Sequence, residues 1–223
     1  MSGQTPVLYM VPLSPPARAV LMTAAAIDVK LDQKMVDLSK GEHKTAEFLK
    51  MNPQHTIPVL DDNGFIVWDS HAICAYLLNK YAPDSDLYPS EPEARAHVDQ
   101  RLHFDSSVAF NRIREMVYPL VMGTKSTIDD DAIANVHEAY AFLEAFLSQN
   151  PETPYLAAGK LTIADLCCVS TVSSMLELVP ASEDKYPKLF AWFNLLRELP
   201  YYKEFNQPGN EAFAAFIKSK LTL

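Results

Sequence analysis

The sequence predicts a small α/β sandwich of about eighty residues followed by an all-helical domain, divided as 5–84 and 90–220. Three observations predict it. Over the first third, short β-prone runs alternate with helical ones in the order β-α-β-α-β-β-α. Asp84 to Pro92 then forms a polar, proline-bounded connector. Beyond it, the periodic segments recur at helical spacing.

Taken in order, Val7 to Val11 is a short buried-strand candidate, ended by Pro12-Leu13-Ser14-Pro15-Pro16. Ser14 stands at the N-cap and Pro15 at the first position of a helix running to about Ile27. Leu31 to Val36 is a second strand, and Lys44 to Met51 a short helix. Val59-Leu60 and Phe65 to Trp68 are strand runs joined by Asp61-Asp62-Asn63-Gly64, whose Asn-Gly supplies the positive φ angles of a tight hairpin. Asp69-Ser70 opens the next helix, with Ser70 as N-cap and Ile73, Tyr76, Leu77 and Tyr81 at helical spacing. The first two strands pair in parallel through a crossover, and the last two form the hairpin.

In the second domain, Ala94 to Met122 reads as one long helix and Ile128 to Leu147 as another. Thr162-Ile-Ala-Asp165 is a capping-box arrangement ahead of an apolar run to Val179. Tyr186-Pro187 to Leu199 and Glu211 to Lys220 complete the helices, the latter after a Gln207-Pro208-Gly209-Asn210 turn.

Composition narrows the function. Of 223 residues, 48% are apolar, enough for a sizeable core, yet no run approaches the ~18 continuous apolar residues of a membrane span. A net charge of −9 without a Lys/Arg cluster argues against nucleic acid or an anionic membrane as partner. Met-Ser-Gly-Gln-Thr-Pro carries no basic patch followed by an apolar run, so no signal peptide is expected and the cytoplasm is the default location. Cys74, Cys167 and Cys168 lack metal spacing and are expected to be reduced and structural. His43, His55 and His71 fit no metal-ligand pattern, so no metal is expected.

Three features carry chemistry. Ser14 caps a helix directly after a strand, the corner where thiol oxidoreductases with this β-α start place Cys-x-x-Cys. Here the four residues are Ser14, Pro15, Pro16 and Ala17, so the chain cannot perform its own disulfide exchange at this corner. It can still stabilise a thiolate brought by a ligand, through a hydroxyl hydrogen bond and the positive helix end. Lowering a thiol pKa from about 8.5 by ~2 units takes roughly 2.7 kcal/mol, within reach of those two effects. Read alone, Ser14 is only a cap worth about 1 kcal/mol. Ile57-Pro58, at the mouth of a strand, leaves backbone groups open to an extended ligand. The helix start at Asp69-Ser70 favours a carboxylate. The topology brings all three to one edge of the sheet, where one site could bind an extended, anionic, thiol-bearing peptide.

The chain resembles a cytosolic glutathione transferase over essentially its full length, most like the insect delta and epsilon classes. The resemblance lies in Leu13-Ser-Pro-Pro-Ala-Arg-Ala-Val20, Asn52-Pro-Gln-His-Thr-Ile-Pro-Val-Leu60, Asp69-Ser-His-Ala-Ile73, Leu161-Thr-Ile-Ala-Asp165 and Leu199-Pro-Tyr-Tyr202. Asn52 to Pro58 and Lys40-Gly-Glu-His43 give it an epsilon-like character. The resemblance implies a thioredoxin-like N-terminal domain before the all-α domain, glutathione as co-substrate, a homodimer, and detoxification of xenobiotics, insecticides among them.

It also implies roles for residues. Ser14 would activate the glutathione sulfur. Ile57, before a cis Pro58 and beside Thr56, would bond the cysteinyl backbone, and His43 and His55 would face the glycyl carboxylate. Asp69 would take the γ-glutamyl ammonium and Ser70 at the helix start its carboxylate, with the His71 backbone nearby. Asp69 stands where the epsilon pattern usually has Glu, and Ala17 where it often has Cys. Tyr9 is a rival activator, since other classes use a tyrosine near the end of the first strand. The hydrophobic second substrate would meet Leu13, Phe110, Arg114, Val117, Tyr118, Val121 and Phe213. The alternatives are a peroxidase or isomerase using the same thiolate, and a non-catalytic carrier of apolar ligands.

Overall fold

In the computed structural model, which describes residues 4–149 and 151–222, β1 (Val7–Met10) sends Leu8 and Met10 into the main α/β core and Tyr9 to the opposite face. The first three residues of the N-terminal stretch read above lie outside the described residues. β1 pairs in parallel with β2 (Asp32–Met35) and antiparallel with β3 (Val59–Asp62), which in turn pairs antiparallel with β4 (Phe65–Trp68). The mixed sheet therefore has the order β2-β1-β3-β4. At the β3–β4 turn Asn63 and Gly64 have φ of 55° and 94°, as the hairpin reading requires, and Asp61 Oδ1 accepts from Gly64 N at 2.8 Å.

α1 (Pro15–Ala26) is buried along most of its length because it packs against α3 (Ser70–Tyr81) and also against α7 (Ile163–Leu178) of the helical half. α2 (Ala46–Met51) covers the other face of the sheet, where Phe48 joins Val36 and Val59. A 3₁₀ turn at Glu42–Lys44 precedes it, separated by Thr45, whose side chain accepts from Phe48 N. One polar network ties sheet to helix: Asp62 Oδ2 accepts from Tyr76 Oη at 2.7 Å, Tyr81 Oη at 2.7 Å and Lys80 Nζ at 2.6 Å. This is the thioredoxin-like arrangement that the resemblance implies.

At two helix starts the cap or the first turn differs in kind from the expected one. The N-cap of α3 is Asp69, not Ser70: Asp69 Oδ1 accepts from His71 N at 3.0 Å and Ala72 N at 3.2 Å, and its φ is 74°. α9 (Gln207–Lys218) begins at Gln207, four residues before Glu211, because Pro208 sits where a first helical turn needs no N–H donor. The turn expected over 207–210 is helix.

The long helix expected over 94–122 is α4 (Pro92–Phe104) and α5 (Phe110–Val121) joined by a five-residue π-helical segment, Asp105–Ala109. The cause is local. Ser106 and Ser107 hydroxyls donate back to the His103 carbonyl at 3.2 and 2.6 Å, competing with the regular backbone ladder. α6 (Asp130–Ser148) and α8 (Pro187–Leu196) pack around α7, which is buried on all sides from Ile163 to Met175. The capping box forms as expected. Asp165, fully buried, accepts from Thr162 N (2.9 Å), Thr162 Oγ1 (3.1 Å), Leu156 N (3.0 Å) and Trp192 Nε1 (2.9 Å). Burial pushes its pKa up to about 6 against those four donors.

The adjacent cysteines point apart, as a helix dictates. Cys167 Sγ lies 3.9 Å from Cys74 Sγ on α3, and Cys168 Sγ contacts the Arg101 carbonyl. All three are buried and free.

Candidate active site

Register alone gathers the candidate residues. Tyr9 pairs with Val59, and Val59 pairs with Trp68, so the C-terminal ends of β1 and β4 and the start of β3 share one end of the sheet. With strands ~4.8 Å apart, Ser14, Pro58 and Asp69 lie beyond three neighbouring strand ends over a width of about 10 Å, the span of a short extended peptide. Met10 pairs with Met35 in parallel, which brings the chain leading to His43 to the same end.

Ser14 is held by its backbone: its N donates to the Val11 carbonyl at 3.0 Å and its carbonyl accepts from Arg18 N at 3.1 Å. Its hydroxyl makes no capping bond. The sequence explains this, since Pro15 and Pro16 remove N–H donors from the first turn that a cap would serve. Among the described residues the hydroxyl is thus uncommitted, at the N-terminal end of a helix, and a partner acceptor there would also feel the helix dipole. Tyr9, the rival, packs edge-on to Phe48 with ring centroids 6.3 Å apart, beneath Lys34 Nζ. It belongs to the cluster under α2.

The Ile57-Pro58 peptide is cis. The loop before it is organised by Asn52, fully buried, whose Nδ2 donates to the Thr56 carbonyl and to Thr56 Oγ1, both at 2.9 Å, while its Oδ1 accepts from Gln54 N at 2.9 Å. Sequence reasoning quoted Asn52 without giving it a role; the signal was an Asx residue two positions before a residue in a turn. His55 has φ of 48° and its ring lies 6.2 Å from that of His43. Burial, then Lys44 and His55, lower the His43 pKa, and among the described residues His43 Nδ1 has no partner. The two rings are tilted by 56° to one another.

At the third strand end, Asp69 is exposed and spends Oδ1 on the cap, while Ser70 is buried. His71 turns away: its Nε2 bonds Asp105 Oδ2 at 2.9 Å, joining α3 to the π-helical segment. Burial lowers the His71 pKa, but the Asp105 bond outweighs it and the net shift is upward. A cavity of about 450 Å³ between α3 and α4 reaches Asp69 and His71.

On α5, Phe110, Arg114, Val117, Tyr118 and Val121 fall on one stripe at helical spacing. Tyr118 and Val121 are exposed, Arg114 stacks over Tyr118 at 5.8 Å, and Leu13, Phe110 and Val117 are half-buried against the helical core. Phe213 is instead packed in that core, and Phe216, three residues on, is the exposed aromatic of α9.

Sequence reasoning assigned no role to Arg18 and placed Gly209 only in a turn. Arg18 is fully buried, and it leaves α1 to donate to the carbonyls of Ser170 and Asn206 and to Ser174 Oγ. Burial lowers its pKa to about 9, with Tyr202 opposing. Gly209 lies against Pro12: a Cβ there would come within 2.3 Å of the Pro12 carbonyl oxygen and 2.7 Å of Arg18 Cδ.

The family model described as the N-terminal domain of glutathione S-transferases matches residues 5–79, and that of the C-terminal domain matches residues 98–200. Glutathione S-transferase 1 of Manduca sexta is 42% identical over 217 residues, covering 96% of this chain and 98% of the relative. Among solved structures, an epsilon-class glutathione S-transferase from the housefly, Musca domestica, superposes with a TM-score of 0.93 at 42% identity, over 98% of this chain and 100% of that one. A glutathione transferase homologue from Drosophila mojavensis, solved with bound glutathione, gives 0.90 at 43% identity, over 97% and 98%. With both halves matched and the relatives aligned nearly end to end, the chain belongs to the glutathione S-transferase family, enzymes that take glutathione as co-substrate.

Proposed function

We propose that the protein activates glutathione at Ser14 and conjugates it to hydrophobic electrophiles in detoxification, working as a cytoplasmic homodimer. The observation that carries the reading is the Ser14 hydroxyl, placed as an N-cap yet making no cap bond, at the end of a buried helix. A ligand thiolate there receives one charge-assisted hydrogen bond and the helix field, together about the ~2.7 kcal/mol that a two-unit pKa shift needs.

The remaining groups hold the rest of the tripeptide. The Ile57 backbone before Pro58 bonds the cysteinyl unit in strand fashion, with Thr56 beside it. His43 and His55 face the glycyl carboxylate. Asp69 takes the γ-glutamyl ammonium through its uncapped oxygen, and Ser70 at the helix start takes its carboxylate, with the His71 backbone, whose N–H bonds Asp69 Oδ1, nearby. Leu13, Phe110, Arg114, Val117, Tyr118 and Val121 form the wall for the second substrate, with Phe213 packed behind. A crowded organochlorine buried against that wall blocks attack at carbon; the thiolate then removes a proton as chloride leaves, and glutathione is regenerated.

The test is turnover with glutathione and a panel of aromatic electrophiles, peroxides and organochlorines, counting chloride against glutathione consumed. Conjugation supports the main reading. Chloride released without glutathione loss supports dehydrochlorination. Glutathione binding without turnover of any member of the panel would favour a carrier.

A further inference from the structure

Arg18 is an expensive residue to keep for stability alone. Its guanidinium is completely buried, every hydrogen bond it makes goes to a neutral carbonyl or hydroxyl, and among the described residues no carboxylate forms an ion pair with it. Among the described residues its Nε has no partner. A buried charge left unneutralised is costly, and an apolar side chain of similar volume would pack there more favourably. Such a charge becomes useful if the working cycle brings an anion close to it.

Geometry says which anion. Arg18 lies about one turn into α1 from its N-cap Ser14, and helical side chains lean toward the N-terminus, over the turn that precedes their own Cα. Its backbone N already holds the Ser14 carbonyl at 3.1 Å. The side chain is fixed from the helical half, because Ser174 Oγ, which accepts from Nη2, also donates to Asn210 Oδ1 on α9 at 2.8 Å. On the same α9 turn, Gly209 lets the backbone close on Pro12, two residues before Ser14. The titratable groups facing this part of α1 are Tyr202, from the π-helical segment Tyr202–Asn206, and Cys74 on α3, which Thr23 Oγ1 contacts one turn further along.

We propose that Arg18 is a positioning residue for thiolate formation: its buried charge, held by Ser170, Ser174 and Asn206, provides the unneutralised positive field at the Ser14 corner. Together with Gly209 it makes the acidity of the bound thiol depend on how the helical domain is seated. This rests on Ser14 being the group that contacts the sulfur.

The experiment is an ultraviolet titration of the thiolate of bound glutathione in the full-length enzyme, with kcat and glutathione KM measured beside it. In Arg18→Met, which keeps bulk and loses charge, the thiol pKa rises by about one unit, the order expected for loss of a nearby buried charge, and kcat below that pKa falls about tenfold while KM changes little. Arg18→Lys restores at least half of the shift. Should Arg18→Met fail to fold, Ser174→Ala, which loosens the guanidinium but keeps it, moves the pKa upward by a few tenths and lowers kcat about twofold. A wild-type titration in the folded Arg18 or Ser174 variants, with Ser14→Ala shifted, overturns the role of Arg18 and leaves that of Ser14 intact. An unshifted Ser14→Ala overturns the reading of Ser14 instead.

Discussion

Asp69 combines a cap, a strained backbone and a proposed ligand contact, and two substitutions separate them. Its φ of 74° is unfavourable for any residue with a Cβ, at a cost of about 1–2 kcal/mol. Its Oδ1 bonds to His71 N and Ala72 N amount to a cap worth ~1 kcal/mol. Asp69→Ala loses the cap and keeps the strain, so it destabilises the fold by about 1–2 kcal/mol. Asp69→Gly loses the same cap but relieves the strain, offset in part by glycine's extra unfolded-state entropy, and stays within about 0.5 kcal/mol of wild type. Glutathione affinity ignores this distinction. Both variants lose the carboxylate proposed to meet the γ-glutamyl ammonium, at an exposed site where such a contact is worth about 1.4 kcal/mol, so the dissociation constant rises about tenfold in each. Urea unfolding and titration calorimetry on the two proteins read both effects. Equal destabilisation by Ala and Gly would refute the strain argument, and unchanged affinity in both would refute the binding role.

Three further outcomes follow from the fold. Asp62→Asn weakens the grip of β3 on Tyr76, Lys80 and Tyr81 and lowers unfolding free energy by ~2 kcal/mol at pH 7, the partly exposed partners recovering some of the loss from water. Burial opposes ionisation of Asp62, but its donors win and hold the pKa below the usual carboxylate range; its stabilisation is therefore complete above the unfolded pKa near 4 and is lost as pH falls further, so the gap to Asp62→Asn closes in acid. Asp165→Ala strands three buried N–H donors at roughly 1–3 kcal/mol each, for a loss of ~3–5 kcal/mol in urea unfolding after the relief of removing a buried carboxylate. In the native enzyme, thiol reagents label Cys74, Cys167 and Cys168 only as fast as the chain unfolds, because all three are buried; fast labelling would contradict the packing of α3 on α7.

The sheet and the helices were legible because local signals sufficed for them. Asn63-Gly64 specified the hairpin, the crossover fixed the parallel pair, and Thr162 with Asp165 announced the start of α7. The misplacements arose where side-chain hydrogen bonds, which leave no mark on hydrophobic spacing, decide. Asp69 displaced Ser70 as cap once its own backbone turned into the positive-φ region. The break at Asp105–Ala109 reflects two serines bonding back to His103 and an aspartate turned toward His71, neither of which disturbs hydrophobic spacing. Ser14, Pro58 and Asp69 could be brought together from topology alone. Arg18 could not, since an arginine near a helix start reads as a solvated face until α7 and α9 are packed over it. Phe213 and Phe216 sit three residues apart on one helix, and which of them faces the core is set by the final rotation of α9.

The central claim is that the Ser14 hydroxyl stabilises the glutathione thiolate. Titrating the ultraviolet absorbance of bound glutathione in wild type, Ser14→Ala and Tyr9→Phe tests it most directly. The account predicts that the midpoint rises by one to two units in Ser14→Ala and stays at the wild-type value in Tyr9→Phe, whose phenol packs with Phe48 under α2. A midpoint that moves in Tyr9→Phe and not in Ser14→Ala would contradict it.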